Sequence, residues 1–225
     1  MEDFRIKYRP RKIEEVWGNE HIKKIWGGFS KRKMYPASTV LYGQYGTGKT
    51  TIGEIIAKEI TINKTDPAFR PFSDIIKIDT ALYDFEMLLK KLEDIRWYLG
   101  NPPAVFIDEA HGLPEKSQRL FLERIEYDDL HYIFATTELN KMQGGILSRS
   151  TKFKLKAPTV SEAEKKLSNI AKIENINISK DAIRLICDYG KCNPRECKGI
   201  LYEIPPLEGM ITESILKEIL ELNTD

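Results

Sequence analysis

The stretch "STVLYGQYGTGKTTIGEIIAKEI", Ser38 to Ile60, decides the fold. Its first six residues read as a short buried strand and its last eleven as a helix. Between them "GQYGTGKT", Gly43 to Thr50, fits the pattern G-x-x-x-x-G-K-[ST] in the strand–loop–helix context that gives the pattern meaning. Gly46 and Gly48 let the backbone curl so that its N–H groups face phosphate oxygens at the positive end of the helix. Lys49 then reaches the terminal phosphates, and the Thr50 hydroxyl is available to Mg²⁺. Gly43, Gln44, Tyr45, Thr47 and Thr51 complete the loop.

Downstream, "AVFIDEAH" carries the complementary chemistry. An apolar strand delivers Asp108 and Glu109 at its carboxyl end, where ligands sit in open α/β sheets. Asp108 is suited to hold Mg²⁺ through water, and Glu109 to orient and deprotonate an attacking water. His111 completes a DEAH string, but no G-R-x-G-R segment follows, so a surface histidine is expected. "NKTD", Asn63 to Asp66, matches a guanine-reading string but comes directly after the phosphate-loop helix instead of after a late strand, so it reads as a polar loop. "YIFATTE" brings Thr136 and Thr137 to the end of a strand expected beside that of Asp108.

These pieces belong to a regular alternation. Strand signals at "STVLYG", "DIIKID", "PAVFID", "LHYIFATT" and "TKFKLK" are interleaved with helical ones, including an amphipathic run over Asp84–Leu99. That order predicts an α/β domain with a parallel sheet and helices on both faces. From Val160 the signals are helical only: "VSEAEKKLSNIAKIE", "SKDAIRLICDYG" with Ser179 as cap and Gly190 as stop, "NPRECKGILYEI" opened by Asn193-Pro194, and "TESILKEILEL". The expected organisation is a nucleotide-binding domain over residues 1–157 and a small all-helical lid over 158–225.

Composition sets outer limits. The 225 residues carry a formal charge of +1, which gives no global attraction to nucleic acid. Basic runs within residues 1–33, and Lys90, Lys91 and Arg96, are candidate DNA contacts against a plain solvated face. No apolar run approaches a membrane span and no signal core opens the chain, so a soluble cytoplasmic protein without membrane partners is expected. Cys187, Cys192 and Cys197 have neither zinc-knuckle nor disulfide-framework spacing and read as reduced thiols. "ILSRS", Ile146 to Ser150, reads on its own as a solvated loop arginine before a strand.

Taken as an ordered set, the motifs resemble those of AAA+ ATPases of the sliding-clamp-loader family, the bacterial gamma/tau type and the small subunits of replication factor C. "KYRPRKIEEVWGNEHIKKI" resembles the family's opening pattern. "LYGQYGTGKTT" looks like its phosphate loop, and "IDEAHGLPEKSQRLFLERIE" is similar to its acidic strand and following helix. "FATTELNKMQGGILSRS" resembles its sensor strand and S-R-C motif. The resemblance implies an AAA+ P-loop fold, ATP and Mg²⁺ as cofactors, and an adenine pocket at Tyr8, Arg9, Pro10, Trp17 and Gly18. It implies sensor roles for Thr137 and Arg195, with Arg195 reaching the γ-phosphate from the lid. Arg149 falls at the position of an arginine finger supplied to a neighbour. The implied partners are a sliding clamp, primer-template DNA and other clamp-loader subunits in a ring or spiral.

Several positions depart from the family's pattern. Ser150 replaces a cysteine, Gly144-Gly145 a proline-rich pair and Trp17 an aliphatic residue. A zinc-binding insert and a C-terminal collar are not seen, which puts the pentameric arrangement in question. A helicase loader, a transposition regulator or a ring subunit that does not hydrolyse are the alternative readings.

Overall fold

The computed structural model describes residues 2–64, 75–80, 87, 90, 104–127 and 130–222. All but residues 87 and 90 of the expected helix Asp84–Leu99 lie outside that set, as do Lys91, Arg96 and the end of "NKTD". The chain divides into two compact units. One comprises Arg11–Glu14 and Glu20–Leu155; the other gathers the residues up to Pro10, Glu15–Asn19 and the chain from Lys156 onward.

The first unit is built on a five-stranded parallel sheet. Strands β1 (Ser38–Tyr42), β2 (Ile76–Asp79), β3 (Val105–Asp108), β4 (Tyr132–Thr136) and β5 (Thr151–Lys154) lie in the order β2-β3-β4-β1-β5. The central strands β3 and β4 are buried throughout, as strands covered on both faces must be, which explains their unbroken apolar runs. Parallel pairing turns every carboxyl end to the same edge. Tyr42 is in register with Thr136 and Asp79 with Asp108, so the residues that follow β1, β2, β3 and β4 emerge side by side. Helix α3 (Lys49–Lys64) starts directly from the loop after β1, and α4 (Glu115–Tyr127) follows β3. Phe121 of α4 packs edge-on against Tyr132 and Phe134, with ring centroids 5.5 and 5.4 Å apart, and anchors a core that includes Val40, Ile107 and Ile146.

Two helices of this unit were not evident in the sequence. Helix α2 (Glu20–Arg32) was read only as a basic run, yet Ile22 and Trp26, one turn apart, are fully buried while Lys24, Lys31 and Arg32 are exposed. Helix α5 (Gly144–Arg149) stands where a loop was expected. Two glycines are poor helix formers. Gly145 packs closely: a Cβ on it would lie 2.9 Å from a methyl of Leu122 on α4, so a larger residue there would have to push that side chain aside.

The second unit holds α1 (Phe4–Lys7), α6 (Val160–Ile173), α7 (Lys180–Tyr189), α8 (Pro194–Glu203) and α9 (Glu213–Leu222). Leu167, Ile183, Ile186, Leu201 and Leu216 form its core. The sequence put the N-terminal residues with the sheet; the structure groups them with these helices. The reason is apolar burial, since Phe4 is 1% exposed and packs edge-on against Tyr202 of α8 with centroids 5.3 Å apart. Trp17 joins the same core. Cys187, Cys192 and Cys197 are all buried and unpaired. Among the described residues no helix is long and apolar enough to cross a membrane.

Candidate functional site

At the carboxyl edge of the sheet, the loop after β1 turns through left-handed backbone at Gly46 (φ 74°) and Gly48 (φ 97°), conformations that side chains disfavour. Gly43 is needed for space: a Cβ there would meet the Leu155 carbonyl at 2.5 Å. Inside the loop Lys49 is only 6% exposed, and its ammonium donates to the carbonyls of Gly43 (3.0 Å) and Gln44 (2.9 Å). The Thr47 hydroxyl donates to the same Gln44 carbonyl at 2.8 Å. Burial holds the Lys49 ammonium below its usual pKa, with the carboxylates of Glu109 and Asp108 pulling the other way. A buried cation resting on its own loop's carbonyls, at the amino end of α3, is a fitting seat for phosphate.

Across the edge, β3 delivers the acidic pair as expected. Thr50 donates to Asp108 Oδ1 at 3.3 Å, and the Glu109 N–H donates to that oxygen at 3.2 Å. Asp108 Oδ2 faces the Lys77 ammonium of β2 at 3.6 Å, which also binds Glu54 at 2.9 Å. A hydroxyl and a carboxylate oxygen thus converge beside the phosphate seat, a donor set of hard oxygens that fits Mg²⁺. Glu109 stands in left-handed backbone (φ 48°, ψ 44°), and the Thr80 hydroxyl holds its carbonyl at 2.8 Å. Its Oε2 is enclosed and makes no hydrogen bond.

Three residues of this site were undervalued in the sequence. His111 was expected at the surface. Its side chain is instead 20% exposed, on the short turn Ala110–Gly112, with Nδ1 3.4 Å from Glu109 Oε2 and Nε2 3.3 Å from Glu138 Oε1. The Thr136 hydroxyl lies 3.2 Å from His111 Nδ1 and accepts from the Glu138 N–H at 3.0 Å. Thr137 follows β4 and is exposed, so the hydroxyl engaged here belongs to its buried neighbour Thr136. The available signal was the pairing of β3 with β4, which brings "DEAH" and "ATTE" to one edge.

Arg149 ends α5, where its guanidinium pairs with Glu126 of α4 and donates to the Gly145 carbonyl at 3.3 Å. The next residue, Ser150, shares a 2.6 Å hydroxyl contact with Ser38 at the start of β1 and donates to the Ile146 carbonyl at 2.7 Å. Arg149 is therefore fixed at the amino edge of the sheet, and the phosphate loop of the same chain lies at the carboxyl edge. Four strand steps of about 3.3 Å separate the ends of β1, roughly 13 Å.

The remaining candidates belong to the helical unit. The Tyr8 phenol donates to the Glu174 carboxylate, and burial together with that carboxylate pushes its pKa up to about 12. Arg9 is exposed and Pro10 half-buried. Trp17 is buried, its ring 5.9 Å from the Lys198 ammonium, and Gly18 adopts φ 61° where a Cβ would meet Pro158 at 3.1 Å. Arg195 occupies the exposed first turn of α8, and Asn193 caps that helix by accepting from the N–H groups of Arg195 (2.9 Å) and Glu196 (3.5 Å).

Comparison with known proteins places this architecture. The chain is 32% identical over 222 residues to a DNA polymerase III subunit gamma/tau of Mycoplasma genitalium, a match covering 89% of the chain and 37% of that relative. It is 27% identical to a replication-associated recombination protein A of Coxiella burnetii, over 87% of the chain and 44% of the relative. The chain thus spans less than half the length of either. The Thermotoga maritima RuvB Holliday junction branch migration motor shares the fold with a TM-score of 0.79 at 21% identity, covering 96% of this chain and 72% of that one. The pattern of the ATPase family associated with various cellular activities (AAA) matches residues 39–158, more than half of the chain, and the protein belongs to that family.

Proposed function

We propose that this chain is an ATP-hydrolysing clamp-loader subunit that works beside other subunits to place a sliding clamp on primer-template DNA. The observation that carries the reading is the convergence of Lys49, Thr50, Asp108 and Glu109 at one sheet edge. The similarity to DNA polymerase III gamma/tau subunits supports the choice of clamp and DNA as partners.

The residues have distinct tasks in this reading. The loop Gly43–Thr51 cradles the phosphates with its N–H groups, and Lys49 leaves the Gly43 and Gln44 carbonyls to meet them. Thr50 and Asp108 would hold Mg²⁺, which supplies charge neutralisation on the phosphate oxygens. Glu109 accepts a proton from water through its carboxylate and orients it for attack. Tyr8, Arg9, Pro10, Trp17 and Gly18 receive the adenine, while Thr137 and Arg195 sense the γ-phosphate.

The position of Arg149 supports service to another molecule. It sits at the far edge of the sheet from its own loop, and an arginine side chain cannot bridge that span. Phosphoryl transfer depends mainly on positioning and charge, and an arginine supplied by a neighbour contributes about 10³ to 10⁵ in rate. An isolated chain is therefore expected to turn over slowly.

The test is steady-state ATP hydrolysis with and without clamp and primed DNA, across protein concentrations. Fast turnover indifferent to all three would sink the clamp-loading reading. Lys49→Ala should lose nucleotide binding, and full binding by that variant would remove the assigned site. The similarity to replication-associated recombination protein A favours a second reading, a DNA-processing ATPase that acts without a clamp. Helicase loaders and transposition regulators belong to this class, and a pull-down with candidate partners separates them. A ring subunit that never hydrolyses fits poorly with a complete Glu109 and Asp108 pair.

A further inference from the structure

Glu109 is held in a way that its proposed task does not explain. Its backbone is left-handed, which costs a non-glycine residue on the order of 1 kcal/mol, and its Oε2 is enclosed without a hydrogen bond. The polar group facing that oxygen is His111 Nδ1, at 3.4 Å. The same nitrogen lies 3.2 Å from the Thr136 hydroxyl, while the other ring nitrogen lies 3.3 Å from Glu138 Oε1. Thr136 in turn accepts from the Glu138 N–H, and Glu138 is held by Lys141 at 2.8 Å. His111 thus touches two residues at the end of β4 and one at the end of β3. Hydrogen bonds of catalytic groups are often long before substrate binds and tighten afterwards.

We propose that His111 is a positioning residue for Glu109, tying its carboxylate through Nδ1 to the Thr136 and Glu138 anchor at the end of β4. The inference rests on Glu109 acting as the base. Thr136 and Glu138 fix the ring, the ring fixes Glu109 Oε2, and the other oxygen of the carboxylate is held at one orientation to take the proton while water attacks the phosphate. The same chain of contacts passes movements of the β4 end, where Thr137 sits, to the base. A histidine that merely filled space would be replaceable by any side chain of similar size. A positioning one has a required nitrogen.

Asparagine places its amide nitrogen near the position of Nδ1, and glutamine near that of Nε2. Turnover at saturating ATP and ATP affinity are to be measured for His111→Ala, His111→Asn and His111→Gln, in the full chain under its fastest conditions. His111→Ala should lower kcat at least tenfold and change ATP affinity less than threefold. His111→Asn should recover most of that loss and His111→Gln little of it. Equal rates for the asparagine and glutamine variants, or a loss confined to ATP affinity, overturn the proposal. If His111→Ala does not fold, the asparagine–glutamine difference still decides. Thr136→Val, which removes the hydroxyl beside Nδ1, should lower kcat in the same direction. Glu109→Gln is measured alongside: normal turnover there defeats the base assignment itself, whereas lost turnover there with normal His111 variants defeats only the positioning role.

Discussion

The helical unit and the carboxyl edge of the sheet use polar side chains in opposite ways. In the helical unit they close the backbone. Thr159 and Glu162 form a reciprocal capping box on α6, Ser179 accepts from the Ala182 N–H at 3.2 Å on α7, and Asn193 caps α8. Each such cap contributes on the order of 1 kcal/mol and asks nothing of a ligand. At the sheet edge, Lys49 leans on carbonyls that also serve the loop, and Glu109 combines a left-handed backbone with an unbonded oxygen. Stability is made locally in one region and withheld in the other, where a carboxylate oxygen of the proposed nucleotide site is left without a hydrogen bond.

The sharpest way to strain this contrast is Arg149→Ala. In the assembled, stimulated state turnover should fall by about 10³ or more, while ATP binding by the chain alone stays unchanged. Binding assays on the isolated variant decide whether the arginine serves its own site. Its stability should shift by less than about 1 kcal/mol, because the ion pair with Glu126 is exposed.

Leu167→Ala, in the core of the helical unit, should show the converse pattern. The residue is fully buried, so truncation costs about 2–5 kcal/mol of stability, read from the urea midpoint.

Lys198 is the exception within the helical unit, a buried cation amid caps and apolar core. Burial, with the Arg9 guanidinium adding to it, pushes its pKa down to about 8, against an opposing pull from Asp3. Its ammonium donates to the Tyr8 carbonyl at 3.2 Å. Between pH 8 and about 10.5 the unfolded chain holds a proton that the folded chain has released, so stability rises with pH through that window. Below pH 8 both states are charged and the folded one carries the full burial cost, on the order of 3 kcal/mol before the hydrogen bond is counted. Lys198→Met should therefore stabilise the unit at pH 7 by about 1–3 kcal/mol and by much less at pH 10.5. A variant with the same advantage at both pH values would contradict the sign. Smallest of all, Thr159→Ala should cost about 1 kcal/mol by the same unfolding measurement and leave ATP binding untouched.

What could be read from the sequence follows the same division. Caps and periodicity are local signals, so α7 and α8 begin where Ser179 and Asn193 indicated, and α6 begins at Val160, where the helical signals take over. The phosphate loop and the Asp108–Glu109 pair are likewise local strings placed at strand ends, and the parallel sheet follows from their alternation with helices. His111 escaped because its role depends on Thr136 and Glu138, some 25 residues away and brought near only by the pairing of β3 with β4. Helix α5 escaped because glycine lowers propensity, and the compensating approach to Leu122 is a tertiary fact. The N-terminal segment was assigned by sequence proximity to the sheet, whereas Phe4 and Trp17 bury themselves among helices more than 140 residues later.

The hydroxyl contact between Ser38 and Ser150 turns β1 into a spacer bar. Five residues of one strand separate the anchor of Arg149 from the start of the phosphate loop. For copies stacked so that the amino edge of one meets the carboxyl edge of the next, that bar contributes a fixed length to the repeat. The pitch of such a row is then set in part by the covalent geometry of an extended chain, the least compressible dimension a protein has.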